Sequence, residues 1–319
     1  MLQVVTDDKQ GNVYDISDLI TDATWKTSRI GKPGSFDFTM LLDRDSKFTI
    51  NNGDIVTMKY DDKPLFYGYV FTIGSSEEET IKIKAYDQLR YLTANDTYVF
   101  KNTTAAAILK RIANDFGLKW GNIVDTKYAI PTMSEDGSKL IDIINKAIAL
   151  TTINTGSTYA FYDDYGKLTL QNVKDMRLNL TIGDESLMTG FEFEKSIDSN
   201  TYNYIKLVRD NKKTLKRDVH TAKDSESMSK WGRLQYYQKV DENLNDAQVR
   251  QLLDQLAKSK NMETKTLKLD ALGDPSVRAG CYVHIEIEEL AIAHLYLIEE
   301  CTHKFSGDEY TIQVELRVF

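Results

Sequence analysis

Cysteine is scarce in this chain: Cys281 and Cys301 are the only two in 319 residues, and neither belongs to a C-x-x-C pair. A pair of small, reduced core residues is the expected reading, with a disulfide across a 281–288/292–301 hairpin as the alternative. No stretch approaches the 18 or so apolar residues of a membrane-spanning helix, so no stable membrane insertion is expected. The segment Met1-Leu-Gln-Val-Val-Thr-Asp-Asp-Lys9 lacks the basic and apolar regions of a secretory signal, and the expectation is synthesis and folding in the cytoplasm. Positive charge is not in excess either. A formal charge of −8 and a pI near 5.2 argue against a sequence-specific nucleic-acid binder held by phosphate neutralisation. Catalytic signatures are missing as well. There is no G-x-S-x-G elbow, Gly31-Lys-Pro-Gly-Ser-Phe36 does not end as a phosphate loop ends, and no G-x-G-x-x-G follows a strand.

What the chain does contain is a repeated strand pattern. The first copy runs Gly53-Asp-Ile-Val-Thr-Met-Lys-Tyr60, an Asp-Asp-Lys-Pro turn, then Leu65-Phe-Tyr-Gly-Tyr-Val-Phe-Thr-Ile73. The second runs Gly280-Cys-Tyr-Val-His-Ile-Glu-Ile287, a Glu-Glu-Leu turn, then Ile292-Ala-His-Leu-Tyr-Leu-Ile298. At a constant offset of 227, Gly53 falls on Gly280, Val56 on Val283, Leu65 on Ile292 and Tyr69 on Tyr296. Each copy is followed by an acidic loop and an alternating strand, Glu79 to Ala85 and Glu309 to Phe319. Period two puts Ile81, Ile83 and Ala85 on one face and Lys82 and Lys84 on the other. With 41% apolar and 28% charged residues, the chain is expected to be globular and to hold two to four compact units.

The expected fold class is mainly β with an α+β insertion: two similar antiparallel β-barrels plus smaller α+β domains. Residues 1–98 form the first barrel, with strands over 34–42, 48–60, 65–73 and 80–85 and a short helical exit over 86–92. Residues 99–182 form an α+β domain. Its first helix is capped by Thr103 or Thr104, carries Ile108, Leu109, Ile112 and Phe116, and stops at Gly117. Its second starts near Ser138 with Leu140, Ile141, Ile144, Ala147 and Ile148, and a 159–162/167–170 hairpin closes the domain. Residues 183–208 and 263–319 form the second barrel, with strands at 190–193 and 202–208. Residues 209–262 are an inserted polar hairpin and helix subdomain, the helix starting near Asn245 with Val249, Leu252, Leu253 and Leu256.

Three residue groups are candidates for chemistry. Cys281, His284, His294, Cys301 and His303 cluster in sequence, but alternation puts Cys281 opposite His284, and His294 opposite Cys301 and His303, so no metal site is expected. The acid pairs Asp163-Asp164 and Glu288-Glu289 sit at turns and read as solvated loop carboxylates in preference to a glycosidase pair. From Lys206 to Arg233 there are nine Lys or Arg against four Asp or Glu, followed by Tyr236 and Tyr237; this reads as a solvated or partner-docking surface, not a nucleic-acid patch. No catalytic, cofactor-binding or metal residues are assigned, and no enzyme is expected.

Several segments in order resemble the XkdQ/YqbQ-type tail proteins of defective prophages and contractile phages. They are Gly53-Asp-Ile-Val with Leu65-Phe-Tyr-Gly-Tyr-Val, Ala85-Tyr-Asp-Gln-Leu-Arg-Tyr-Leu92, Thr104 to Gly117, Tyr162-Asp-Asp-Tyr-Gly-Lys-Leu-Thr-Leu170, Gly232-Arg-Leu-Gln235, Leu272 to Gly280 and Cys301-Thr-His-Lys-Phe305. That family is similar to the baseplate hub proteins of contractile injection systems, which include late-control D proteins and the hub part of type VI spikes. The resemblance implies a homotrimer of twice-repeated subunits, a pseudo-sixfold ring joining tail tube to central spike in a phage tail or tail-like bacteriocin. Tape-measure and LysM-type baseplate proteins are the further partners it implies. A peptidoglycan hydrolase or a wall-binding module built on 104–150 is the alternative.

Overall fold

A computed structural model describes residues 1–41, 48–75, 79–211, 215–242 and 244–318, without the side chains of 317 and 318. The chain divides into two compact units, one of residues 1–192 and 268–316, the other chiefly of residues 193–267. Strand dominates, as the alternation implies; the sequence extremes of the first unit meet in one large sheet.

Its first strands are β1 (Leu2–Asp7), β2 (Val13–Asp15), β3 (Ile20–Ser28), β4 (Ser35–Leu41), β5 (Ile55–Tyr60), β6 (Lys63–Ser75) and β7 (Thr80–Tyr86). Alternation buries Phe36, Phe38 and Met40 of β4 and Ile81, Ile83 and Ala85 of β7 in a core with Trp25, Val56, Met58 and Phe66. The strand expected from residue 48 begins only at Ile55. Gly53, at φ +92°, turns the chain just before it, a conformation side chains with a Cβ resist. Leu42 of the expected 34–42 strand lies outside the described residues.

Next come β8 (Asn95–Thr104), α1 (Ala105–Asp115), β9 (Trp120–Ile123), β10 (Ala129–Lys139), α2 (Leu140–Thr155), β11 (Tyr159–Asp163) and β12 (Leu168–Asn172). Of the two candidate caps Thr104 does the work: its hydroxyl accepts from the Ala107 amide, satisfying a donor that the first helical turn leaves free. Helix α2 ends at Gly156 in the left-handed conformation, its N–H bonded to Thr152 O. The two helices bury Ile108, Leu109, Ile112, Leu140, Ile141 and Ile144 together with Phe161 and Leu170. Each such side chain stabilises the fold by about 1.5–3 kcal/mol, so a charge at Ile144 would break this layer. The paired strands β8 and β10 have no counterpart among the expected elements; their polar outer faces hide the alternation.

The chain continues through β13 (Arg177–Gly183), β14 (Met188–Ser196), β15 (Tyr204–Asn211), β16 (Lys216–Lys223), α3 (Ser225–Trp231), β17 (Gln235–Lys239), α4 (Asp246–Lys260), β18 (Thr264–Leu272), β19 (Tyr282–Ile287), β20 (Ile292–Ser306) and β21 (Glu309–Val318). The strand expected over 202–208 is β15, and its partners are β16 and β17 in a three-stranded sheet of the second unit. Ile205, Leu207, Val240, Val249 and Leu253 give that unit a core of its own. Asn245 and Gln248 form a reciprocal capping box at the start of α4.

The large sheet runs β14-β18-β21-β20-β3-β4-β7-β6-β5-β1-β2, with β19 bonded to β20 and β13 to β19. Two strings of six strands lie in the same spatial order, β3-β4-β7-β6-β5-β1 and β14-β18-β21-β20-β19-β13, but the sixth differs in direction: β1 is antiparallel to β5 and β13 parallel to β19. The likeness extends to single hydrogen bonds. Gly53 N donates to Val70 O and Val70 N to Asp54 O at 2.8 and 2.9 Å; Gly280 N donates to Ile298 O and Ile298 N to Cys281 O at 2.8 and 3.0 Å. Both glycines have φ +92°. A register irregularity falls between Val70 and Thr72 against β7, and its equivalent falls between Ile298 and Glu300 against β21.

The constant offset is corrected in one respect. Val56 and Val283 correspond as expected, but Val70 corresponds to Ile298, one residue further, so Tyr69 falls on Leu297 and not on Tyr296. The first hairpin turns through Asp61 and Asp62 alone and carries a bulge at Met58/Lys59, while the second turns through 288–291 with no bulge. Two added loop residues, partly offset by the bulge, leave the net shift of one.

Candidate functional site

The residues singled out for chemistry land in three different settings. Cys281, Cys301 and His303 point into the core, while His284 and His294 lie on the outer side of β19 and β20. His303 is fully buried and its ring is committed: Nε2 donates to Val277 O at 2.9 Å, and Nδ1 accepts from the Tyr310 hydroxyl at 2.8 Å. Burial holds it neutral, its pKa pushed down to about 3. Burial raises the Cys301 thiol, whose Sγ lies 3.3 Å from His303 Nε2, and both cysteines are free thiols. Trp25 of β3 packs on the His303 ring with centroids 4.5 Å apart. Among the described residues no three His, Cys, Asp or Glu side chains gather in a metal-binding group.

Asp163 departs from its expected setting: it is buried at the end of β11, not solvated in a loop. What holds it there is Gln88, which the sequence reading passed over, and beside it lies a second buried carboxyl, Asp87. Burial first, then the charge of Asp163, pushes the Asp87 carboxyl well above its usual range, and burial pushes Asp163 up to about 6. All four carboxylate oxygens are occupied. Gly34 N and Leu89 N donate to Asp87 at 2.8 and 3.0 Å; Gly166 N and Gln88 Nε2 donate to Asp163 at 2.6 and 2.8 Å. A Cβ on Gly34 would come 2.6 Å from Asp87 Oδ2, so only glycine allows that approach. Gln88 also bridges both backbone groups of Lys119, and Arg278 lies over the Tyr162 ring with Nη2 3.3 Å from Asp163 O. Here the carboxylates serve as pins between segments far apart in sequence, and neither holds an oxygen open to a substrate. The one signal for this pair was Asp87 just ahead of a helical exit, the position of a capping residue.

Two cations of the basic run after Lys206, Arg209 and Arg217, are paired within their own unit, while Lys212 and Lys213 lie outside the described residues. Arg209 bonds Asp218 and Asp246 at 2.8 and 2.6 Å, and Asp210 takes Arg217 and Lys239 at 3.1 and 2.6 Å. Glu288 and Glu289 lie in the β19–β20 turn and are both exposed, as expected of solvated turn carboxylates.

The feature left open is backbone. In β20, residues 300–306 are bonded on one side to β21 and on the other to β3, from Glu300↔Ser28 to Ser306↔Asp22. Among the described residues, the equivalent residues of β6, Thr72–Ser75, are bonded to β7 on one side only, and β14, the equivalent of β3, is bonded only to β18. A shallow groove of about 340 Å³, lined among others by Thr24, Thr39, Lys84, Thr72 and Gly74, ends at that β6 edge. Unpaired N–H and C=O groups in a row are a site for strand addition.

The comparisons with known proteins agree with this architecture. The model of the YqbQ-like family matches residues 23–317. The chain belongs to the YqbQ-like family. It is 33% identical over 294 residues to the phage-like element PBSX protein XkdQ of Bacillus subtilis, covering 90% of this chain and 89% of that one. Its fold matches the 43 kDa tail protein of prophage MuSo2 from Shewanella oneidensis at a TM-score of 0.72, with 16% identity and 98% of each chain covered. It also matches the E. coli c3393 protein at a TM-score of 0.56 and 11% identity, over 94% of this chain and 73% of that one. That protein is described as a type VI secretion component with structural similarity to the T4 tail proteins gp27 and gp5. The YqbQ-like chain thus shares the mainly β fold of phage tail proteins. None of its described helices is long and apolar enough to cross a membrane.

Proposed function

We propose that this YqbQ-like protein is a structural hub component of a contractile phage tail or tail-like bacteriocin. Three copies would form a pseudo-sixfold ring that joins the tail tube to the central spike. The observation that carries the reading is the six-strand order that occurs twice in one chain, down to matched hydrogen bonds at Gly53 and Gly280. Three copies of a twice-repeated subunit present six similar surfaces, which is what adapting a sixfold tube to a threefold spike requires. In this reading each six-strand string belongs to one barrel of the ring, residues 99–182 are an α+β domain beside the first, and 209–262 an insertion in the second. Tube, spike, tape-measure and LysM-type baseplate proteins are the proposed partners.

An enzymatic role is not part of the proposal. Asp87 and Asp163 are the described carboxylates pushed furthest up, and both are saturated by backbone and amide donors. The test is solution mass by light scattering over a concentration series, with negative-stain images of the same peak. A species of three times the 36.4 kDa chain, ring-shaped with a central hole, is the expected result. A monomer that clears peptidoglycan in a zymogram would overturn the reading in favour of a wall hydrolase.

A further inference from the structure

We infer that the open edge of β6 at Thr72–Ser75 and the open edge of β14 are the two halves of one intermolecular seam. In it a second copy of this chain repeats the antiparallel junction that β20 and β3 make within the chain. The inference rests on the self-assembly reading above and deepens it by naming the contacting strands and their register.

The argument is one of equivalent positions. Strand β6 maps on β20 with Val70 on Ile298, and β7 on β21 with Ala85 on Leu316, because both pairs occupy the same place beside the same irregularity. Strand β3 maps on β14. The Ile20↔Met40 pairing of β3 with β4 and the Leu272 N to Leu187 O bond beside β14 give one register when Met40 is matched to Ala271, which places Ile20 on Met188. Strand β3 has a register irregularity between Ile20 and Asp22; with the same one carried by β14, Ala23 and Trp25 fall on Phe191 and Phe193, and the apolar side of the strand is kept.

Burial shows which copy is covered. Cys301 and His303, under β3, are 1% and 0% exposed; their equivalents Ile73 and Ser75 are half-buried and exposed. Ala23 and Trp25 of β3 are 3% and 4% exposed, whereas Phe191 and Phe193 of β14 are half-buried. Each open strand therefore lacks what the other resembles. The junction Glu300↔Ser28 and Thr302↔Lys26 translates to Thr72↔Ser196 and Gly74↔Glu194 between molecules. Gly74 carries no side chain, which leaves exposed Lys82, its partner on β7, open toward Glu194 of the incoming strand. The two edges differ from each other, so the contact is head to tail and propagates until it closes.

The test is cysteine cross-linking of the full chain under mild oxidation, the native cysteines being 5% and 1% exposed. Gly74 and Glu194 are both exposed, and a Cβ at Gly74 meets nothing nearer than 3.9 Å. Neither Gly74→Cys nor Glu194→Cys alone should cross-link; mixed, they should give a covalent dimer, and the double variant should give a covalent trimer on a non-reducing gel. Glu194→Lys should move the association midpoint to at least tenfold higher concentration. A trimer by light scattering that yields no cross-link overturns the seam and leaves the ring reading standing. Self-cross-linking of either single variant overturns the head-to-tail order. A chain monomeric at every concentration, with no cross-link, sinks both.

Discussion

The hairpins at residues 53–75 and 280–306 are built alike and finished differently. Both start from a glycine at φ +92° that donates to the returning strand, and both carry a register irregularity at the same step. The second hairpin's long strand is covered along its far half by β3; among the described residues the first hairpin's has no such cover. The same backbone plan thus holds a dry seam in one place and an exposed edge in the other. A protein whose sheet were complete in itself would have no reason to leave one of two equivalent edges bare, and edge strands are normally blunted.

The largest expected effect comes from truncating the aromatic side chain at equivalent positions of the covered and uncovered strands. Trp25 is 4% exposed and packs on His303, so Trp25→Ala should cost about 3–5 kcal/mol of stability in urea unfolding. Phe193→Ala, at the matching site of β14, should cost the isolated chain roughly 1 kcal/mol or less, since a half-buried ring leaves a smaller cavity. Its larger effect should fall on self-association. Equal losses in the unfolding midpoint would mean that β14 is already as well covered as β3.

A second contrast sets Asp163 against His303, two buried groups with opposite pH signatures. Asp163 titrates near 6 in the fold against 3.8 unfolded, so the native state holds an extra proton between those values. Its contribution is fully present below pH 3.8 and is lost as pH rises through about 6. His303, pushed down to about 3 from 6.5, acts the other way: its contribution is present above 6.5 and is lost as pH falls toward 3. Unfolding curves of wild type and Asp163→Asn at pH 4, 5, 6 and 7 separate the two. The variant should improve relative to wild type as pH rises, and a pH-independent difference between them would mean that Asp163 is ordinarily ionised in the fold.

The repeat and the helices were legible because each leaves a local periodicity. Val56 and Met58 alternate with Thr57 and Lys59, Val283 and Ile285 with His284 and Glu286, and Ile108, Leu109 and Ile112 mark one helical face. Legibility failed where the determinant is distant in sequence. Asp163 followed by Asp164 and Tyr165 reads as a solvated turn until Asp87 and Gln88 are brought against it by the fold. Strand β15 reads like any other strand, and nothing in 204–211 itself says that its partners are β16 and β17. The open edges were invisible for the same reason: pairing belongs to neighbours, and Thr72–Ser75 looks no different from a covered strand.

The two glycines sharpen the likeness at a single atom. Gly53→Ala meets nothing within 4 Å and should cost only the backbone strain of a positive φ, about 1–2 kcal/mol. Gly280→Ala carries the same strain, and its Cβ would also lie 2.7 Å from the Ala160 Cβ, so a loss of about 2–3 kcal/mol is expected. Thermal unfolding of the two variants side by side reads the difference. Near-equal losses would show that the contact at Ala160 relaxes freely.

The smallest effect belongs to the turns that set the hairpins one residue apart. In the first, Asp61 and Asp62 both adopt positive φ, which aspartate tolerates in a two-residue turn. In the second, Ala291 sits at φ +52°, where a Cβ is unfavourable and nothing in its side chain compensates. Ala291→Gly should therefore stabilise the chain by about 0.5–1 kcal/mol, and Asp62→Gly by less. Both gains should appear in the unfolding midpoint without altering self-association, because the turns lie at the far ends of their hairpins from Thr72–Ser75 and its equivalent. A change in association from either variant would mean that the turns, and not the open edges, carry the contact between copies.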